Sequence, residues 1–212
     1  MALIDVGGGV VDVDAVRDFL TQRAGSAVVS EPVYRLGITP GGAAQVVAAG
    51  GRREYDALLL AAGANTGHLA MQVGIYTPPL LAHHLRCTFR VEGDGWQSWI
   101  DKPADRPGTY QHQSGPGQWA VGGHVDPALT RWEVGREAAI DASRAALIDY
   151  ARQYLAVDPS VAESLYCTTE AQLGDGVHVR RHGPVVAIYG DNLMKFAPVL
   201  GSDLALLLTG EK

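Results

Sequence analysis

The residues best placed for chemistry lie in the last quarter of the chain, after a strand-like run over residues 185–189. That run ends at Gly190, and Lys195 then follows among apolar residues. Ligands of open α/β sheets bind at the carboxyl ends of strands, so a lysine there could hold an anionic group. The alternative is a lysine whose ammonium group simply reaches solvent beside a strand–loop–helix corner.

A second segment, residues 56–66, has the same form, because its strand-like run ends in the small residues Ala62, Gly63 and Ala64. Small side chains allow a ligand to approach the backbone closely. We therefore expect the ends of the two strands, near residues 63 and 190, to meet at one crevice of a shared sheet.

Together the two segments resemble the FAD-dependent oxidoreductases of the D-amino-acid oxidase and sarcosine oxidase type. In that family a strand ending in Ala-Gly-Ala closes against the FAD, and a late Lys-Phe-Ala-Pro-Val-x-Gly segment lies beside the flavin ring. The second motif stands complete here, from Lys195 to Gly201. The resemblance implies an α/β (α+β) fold, with a truncated FAD-binding lobe over residues 1–77 and 169–212 and an antiparallel-sheet substrate lobe over residues 78–168.

The resemblance also implies an activity and a set of site residues. The activity would be hydride transfer from a small amine or amino acid to the flavin N5, giving an imine that water hydrolyses. Lys195 would face the substrate carboxylate, and His124 and Tyr110 would line the pocket as the other catalytic residues. The implied FAD contacts are Val33, Ala62, Gly63, Ala64, Gly190, Asn192, Leu193, Met194 and Lys195.

The sequence departs from the family pattern at several positions. A Gly-x-Gly-x-x-Gly turn, which normally holds the FAD pyrophosphate, is missing, because Gly7 and Gly9 are followed by Asp12 where the third glycine should stand. Ala120 replaces the oxygen-activating lysine of sarcosine oxidases, and Cys167 lies two positions from the cysteine that tethers FAD in some members. We expect non-covalent FAD, bound weakly or not at all by this chain alone.

These departures predict a truncated flavoenzyme that is completed by a missing N-terminal segment or a partner subunit. Two alternatives stay open. One is a non-catalytic remnant or interaction module that holds no flavin, and the other is a gene whose true start lies upstream.

The composition of the 212-residue chain limits the partners it can have. Its net charge of −6 argues against a nucleic-acid partner, which would require a basic surface. No apolar stretch approaches the ~20 residues of a membrane helix, and the start lacks the pattern of a secretion signal. Two cysteines are too few for a disulfide framework, so a reducing cytoplasm is the expected location.

Hydrophobic periodicity and turn residues predict the elements that position these sites. Pro78-Pro79 marks the change from a mixed texture to a strand-rich one. The predicted helices are residues 15–23, 66–73, 131–155 and 200–208. The predicted strands are residues 27–29, 33–36, 55–60, 85–91, 96–100, 109–113, 119–123, 165–169, 177–180 and 185–189. Turn signals at residues 41–42 and 50–51 flank residues 45–48.

Other groups of reactive side chains have simpler interpretations. His83 and His84 are adjacent in a predicted strand and would point to opposite faces, so together with Cys87 they do not form a metal site. Asp175 and His178 could be an acid–base pair, but a Gly-Asp-Gly turn is favoured. No serine stands in a Gly-x-Ser-x-Gly elbow, which gives no basis for a hydrolase.

Overall fold

The computed structural model describes residues 10–77, 81–170, 176–191 and 193–210, with the side chains of Glu170 and Lys195 outside this description. The helices are α1 Val13–Ala24, α2 Thr66–Met71, α3 Arg136–Tyr154 and α4 Ala197–Thr209. The strands are β1 Val33–Ile38, β2 Ala44–Ala48, β3 Gly51–Tyr55, β4 Leu58–Leu60, β5 Leu81–Arg90, β6 Trp99–Asp101, β7 Thr109–Gly115, β8 Gln118–Gly123, β9 Asp158–Glu170, β10 Val177–His182 and β11 Val185–Gly190. This mixture of helices with mainly antiparallel sheets confirms the predicted α/β (α+β) class.

The described residues divide into two compact units. The first unit comprises those of Met1–Val28 and Ala82–Thr168, and the second comprises those of Val29–Leu81 and Thr169–Lys212. The sequence placed residues 1–77 in one lobe, whereas residues 10–28 group here with the first unit. None of the residues of helix α1 is buried, so the helix contributes no side chain to the apolar core formed by residues 29–77. The assignment of the two units to a FAD lobe and a substrate lobe stays a prediction.

The first unit is a five-stranded sheet with helix α3 packed on one face. The strand order is β6-β7-β8-β5-β9. Alternate residues of β5 and β8 point towards α3, where Phe89, Val121 and Leu147 are fully buried in one apolar cluster. The opposite face, which we call the polar face, carries the residues between them.

The second unit has two small sheets. Strands β1, β2 and β3 form an antiparallel meander, and the second sheet has the order β10-β11-β4. Strand β11 is antiparallel to β10 but parallel to β4. Val185 and Ala187 pack in a cluster with residues of the meander and α2, whereas Val186 and Ile188 pack against α4. Burial on both faces explains why β11 is an unbroken apolar run.

Several predicted elements are confirmed with small shifts in their ends. Helix α1 begins where Asp12 accepts a hydrogen bond from the Ala15 N–H and ends at Gly25, so it starts two residues before the predicted helix and ends one residue after it. Helix α4 begins three residues before the predicted start, with Pro198 in its first turn, where a proline costs no hydrogen bond. The triple glycine at residues 7–9, and Pro78-Pro79, lie outside the described residues.

Three predicted elements are wrong. Residues 27–29 form a 3-10 turn and irregular backbone, because they are exposed and pair with no strand in the described chain. Residues 55–60 are two strands, since β3 ends at Tyr55 and β4 joins the other sheet at Leu58. The helix predicted over residues 131–155 is interrupted at Gly135, whose φ of 88° ends a 3-10 turn before α3 begins.

None of the helices in the described ranges is both long enough and apolar enough to cross a membrane.

Candidate functional site

In the second unit, the parallel pairing of β4 and β11 places two turns at one edge of a sheet. Leu58 pairs with Val185, Leu59 with Val186, and Leu60 with Ala187. Gly63 and Gly190 each lie three residues beyond the last pair (63 − 60 and 190 − 187). The expected sharing of a sheet by these two strand ends is therefore confirmed.

The turn after β4 is small and exposed. Gly63 has φ of 56°, and a Cβ added there would meet no atom within 4 Å. The buried Thr66 hydroxyl closes the turn by accepting a hydrogen bond of 2.9 Å from the Ala62 N–H. Ala62 itself packs against the core, whereas Gly63 and Ala64 are exposed. The turn thus offers backbone, rather than side chains, to a ligand.

The turn after β11 requires glycine for a different reason. Gly190 has φ of 146°, and a Cβ there would overlap the carbonyl oxygen of Gly176, the residue just before β10. Beyond it, Leu193 packs against the cluster beneath α4, and Met194 is exposed. Asn192 and the side chain of Lys195 lie outside the described residues, so the predicted role of Lys195 stays a prediction.

His178 lies beside this second turn. It pairs with Tyr189 across β10 and β11, and the two rings stack with centroids 5.3 Å apart. Its Nε2 is buried and has no hydrogen-bond partner within the part of the chain that is described. Asp175, which was considered as the acid–base partner of His178, lies outside the described residues.

Val33 belongs to the other sheet of the same unit. It starts β1, pairs with Ala48 and is exposed. The strand pairing that places Gly63 beside Gly190 does not include Val33, so its contact with FAD stays a prediction.

In the first unit, Tyr110 lies on the polar face of the five-stranded sheet. It pairs with Gly122 on β8, and a Cβ on Gly122 would overlap the tyrosine ring. The ring stacks beside His84, whose Nε2 lies 2.8 Å from the Tyr110 hydroxyl oxygen. The Tyr110 ring therefore packs directly on the backbone of Gly122, where any larger residue would displace it.

Two further residues of the polar face adjoin this pair. Arg86 pairs with Gly122 from the other side, so Tyr110, Gly122 and Arg86 form one row across three strands. Arg86 Nη1 lies 3.4 Å from His112 Nε2. The Arg86 Nε is buried without a hydrogen-bond partner among the described residues.

His124 does not join this group. It follows β8 with φ of 56°, and its ring packs on Tyr150 of α3 at 4.7 Å between centroids. Tyr150 receives hydrogen bonds from Thr109 and Gln111, which flank Tyr110 and point to the opposite face. His124 thus lies on the α3 side of the sheet, and the structure does not bring it together with Tyr110.

The sequence reasoning missed His84, Arg86 and His112 as members of one group. A signal was present, because His84, Arg86 and Thr88 alternate with apolar residues in β5, which indicates a strand with one polar face. The partner strand could not be identified from this pattern, because β5 pairs with β8 rather than with its neighbour in sequence.

His83 and Cys87 lie on the α3 side of β5. The His83 ring stacks on Trp132 at 4.8 Å, and its Nδ1 lies 2.8 Å from the Tyr166 hydroxyl oxygen. Burial raises the pKa of the Cys87 thiol to about 11. His83 and His84 therefore point to opposite faces, as predicted, and the described ranges contain no cluster of metal-ligating side chains.

Comparison with known proteins gives likeness at the level of the fold. A scan against models of protein families and a search of curated proteins found no match to the sequence. Among solved structures, the chain is similar to NikD, an unusual amino acid oxidase essential for nikkomycin biosynthesis, with 19% identity and a TM-score of 0.73 over 93% of this chain and 56% of that one.

Two further solved structures share the fold. Glycine oxidase from Geobacillus kaustophilus gives 14% identity and a TM-score of 0.58, over 86% of this chain and 49% of that one. An FAD-dependent oxidoreductase from Pseudomonas aeruginosa gives 17% identity and a TM-score of 0.51, over 91% of this chain and 58% of that one. The chain thus spans about half the length of the structures that it matches.

Proposed function

We propose that this chain is an FAD-dependent oxidoreductase, or part of one, that oxidises the C–N bond of a small amine or amino acid. The observation that carries the proposal is the parallel register of β4 and β11, which brings the Gly63 and Gly190 turns to one sheet edge. Such an edge is where open α/β sheets bind ligands. The fold likeness to NikD and to glycine oxidase supports this reading, since both are described as oxidases.

The residues at the Gly63 turn suit a bound flavin nucleotide. The space around the Gly63 Cα is open to a planar ring, because no protein atom lies where a Cβ would point. Hydrogen bonds at the turn run from the Ala62 N–H to Thr66 Oγ1 and from the Asn65 N–H to the Ala62 carbonyl oxygen. Among the described residues, the N–H groups of Gly63 and Ala64 donate to no acceptor, so both can serve a ligand.

The chain's own residues would bind and orient the reactants. FAD, held without a covalent bond, would supply the two-electron oxidation by accepting a hydride from the carbon beside the substrate nitrogen. The Gly63 and Gly190 turns would seat the ring, and Lys195 would hold an anionic group near it. The catalytic roles expected for Tyr110 and His124 stay predictions.

The test is a titration of the purified chain with FAD, followed by flavin fluorescence, for the natural sequence and Gly63→Leu. A leucine side chain at this position should weaken FAD binding by about tenfold or more, because it occupies space that only a ligand would use. Gly210→Leu is the matched control. Gly210 ends α4 with φ of 72° and also has no atom within 4 Å of its Cβ position, so the backbone strain is comparable.

Equal FAD binding by Gly63→Leu and Gly210→Leu would contradict the proposed seat of the ring. A folded chain that shows no saturable change with FAD at any concentration would reject this chain as a flavoenzyme in its own right. It would leave either one part of a flavoenzyme that a further segment or subunit completes, or a binding module without cofactor.

A further inference from the structure

We propose that the outer face of the β1–β2–β3 meander binds a phosphate group, which Arg35 and Arg52 hold between them. Both arginines line a cavity of about 670 Å³ in the second unit. The other residues that line it are Tyr34, Leu36, Gly37, Ile38, Gln45 and Gln72. The proposal goes beyond the proposed function, and the binding of the phosphate requires no flavin.

The outer face is the face of the meander that points away from β11. Leu36 and Val46 pair on the inner face, where they share an apolar cluster with Val185 of β11. Successive side chains of a strand point to opposite faces, so Arg35 and its partner Val47 lie on the outer face. The phosphate site is therefore separate from the sheet edge that carries the proposed flavin site.

The strand register places the two arginines in one row. Val47 pairs with Arg35 on one side and with Arg52 on the other. Neighbouring strands lie about 4.8 Å apart, so the two Cα atoms are about 10 Å apart, and both long side chains can reach one anion above Val47. In the next row of this face β1 carries Gly37, which pairs with Gln45 and leaves room for a ligand.

The charges of Arg35 and Arg52 lack counterions. In the part of the chain that the structure describes, neither forms an ion pair with a carboxylate. By contrast, the adjacent Arg53 pairs with Glu31. Two positive charges in one row repel each other, so an anion bound between them would stabilise both.

Glu54 is a carboxylate on the same face, but it is engaged elsewhere. It pairs with Gln45 across β2 and β3, and its Oε1 accepts a hydrogen bond of 3.3 Å from Gln45 Nε2. Gln72 Oε1 likewise accepts a hydrogen bond of 2.9 Å from the Leu36 N–H at the edge of β1. The two carboxamides are thus held in place beside the arginines.

The chemistry of this lining suits a phosphate monoester. Guanidinium groups match phosphate oxygens in bidentate pairs, and two of them balance the charge of about −1.5 to −2 that a phosphate monoester carries at pH 7. A carboxylate would bring one charge and two oxygens only. Pockets of about 300–1,000 Å³ hold small molecules, so the cavity also has room for the organic part of a phosphorylated ligand.

The experiment is a titration of the ¹⁵N-labelled chain, without flavin and at constant ionic strength, with inorganic phosphate and with glucose 6-phosphate. The Nε–H signals of the two arginines are assigned by their loss in Arg35→Lys and in Arg52→Lys. We expect both signals to shift saturably with phosphate, with a Kd on the order of 1 mM.

Arg35→Gln and Arg52→Gln should each weaken phosphate binding by about tenfold or more. Arg180→Gln is the matched control, because Arg180 is an exposed arginine of the same unit that has no ion pair among the described residues, and it should leave the binding unchanged. Arg35 and Arg52 are themselves exposed, so their glutamine variants should fold, which circular dichroism checks.

Two outcomes support the phosphate site and identify its source. Tighter binding of glucose 6-phosphate than of phosphate would indicate a phosphorylated small molecule, whereas equal binding would indicate free phosphate. A shift that does not saturate, or binding that survives both glutamine substitutions, would mean an adventitious ion only and would overturn the proposal.

The result is distinguishable from that of the FAD titration. A chain that binds phosphate but not FAD would keep this site, although it would not be a flavoenzyme in its own right. If FAD does bind, and Arg35→Gln abolishes that binding, the two arginines belong to the cofactor site and the separate phosphate site is wrong.

Discussion

At the scale of single residues, the environment of a side chain decides its chemistry more than its type does. His83 and His84 are neighbours in sequence, yet one is stacked on Trp132 in the interior and the other contacts Tyr110 on the polar face. Strand alternation is the reason, since successive side chains point to opposite faces. The same alternation separates Cys87 from Arg86.

Cys87 gives a residue-scale prediction about pH. Its pKa is raised from 9.0 to about 11 by burial, so the folded protein keeps the thiol protonated where the unfolded chain loses the proton. The free energy of unfolding should therefore fall between about pH 9 and pH 11, by about 2–3 kcal/mol, and this contribution is fully present below pH 9. Urea unfolding of the natural chain and of Cys87→Ala across this range measures it. Identical pH slopes for the two proteins would show that the thiol is not responsible.

At the scale of elements, helix α3 stabilises the first unit through one narrow face. Its buried residues are Ala139, Ser143, Leu147, Tyr150 and Ala151. Their spacing of three or four residues forms a stripe that packs on β5 and β8. Leu147 is fully buried at the centre of this contact.

Leu147→Ala should lower the free energy of unfolding by about 2–5 kcal/mol, because it removes buried apolar contacts and leaves a cavity. Arg152→Ala on the exposed face of the same helix is the control, and it should change stability by less than about 1 kcal/mol, since its ion pair with Asp149 is solvent-exposed. Thermal or chemical denaturation followed by circular dichroism provides both values. A loss for Leu147→Ala no larger than that of the control would mean that α3 does not carry the core.

At the scale of the whole molecule, the two units differ in how the chain supplies their cores. The main cluster of the first unit is contributed by residues between Leu85 and Tyr166. In the second unit, Leu36, Val46 and Leu69 share a cluster with Val185 and Ala187, which come from the far end of the chain.

This difference predicts that a fragment of residues 81–170 folds alone, whereas a fragment of residues 29–81 does not. The first fragment retains its cluster, but the second loses β11, against which β4 and α2 pack. Cooperative thermal unfolding and amide-proton dispersion should be seen for residues 81–170 only. A cooperative transition in the isolated 29–81 fragment would contradict the shared core.

The sequence by itself determined which segments become strands and helices, and that strands near residues 63 and 190 end in small residues. These features follow from local rules: alternation of side chains, burial of an unbroken apolar run such as residues 185–189, and caps such as Asp12. The same rules also explain the errors. Residues 27–29 have strand composition but pair with no strand among the residues that the structure describes, and a short strand is stable only when it is paired.

Only the tertiary structure decided which distant residues share a site. The pairing of β4 with β11 joins positions more than a hundred residues apart, and the order β7-β8-β5 places Tyr110 and Arg86 on either side of Gly122. It also placed His124 on the face opposite Tyr110. Such contacts depend on which strands become neighbours in a sheet. The packing of the whole core decides this, so no single position in the sequence predicts it.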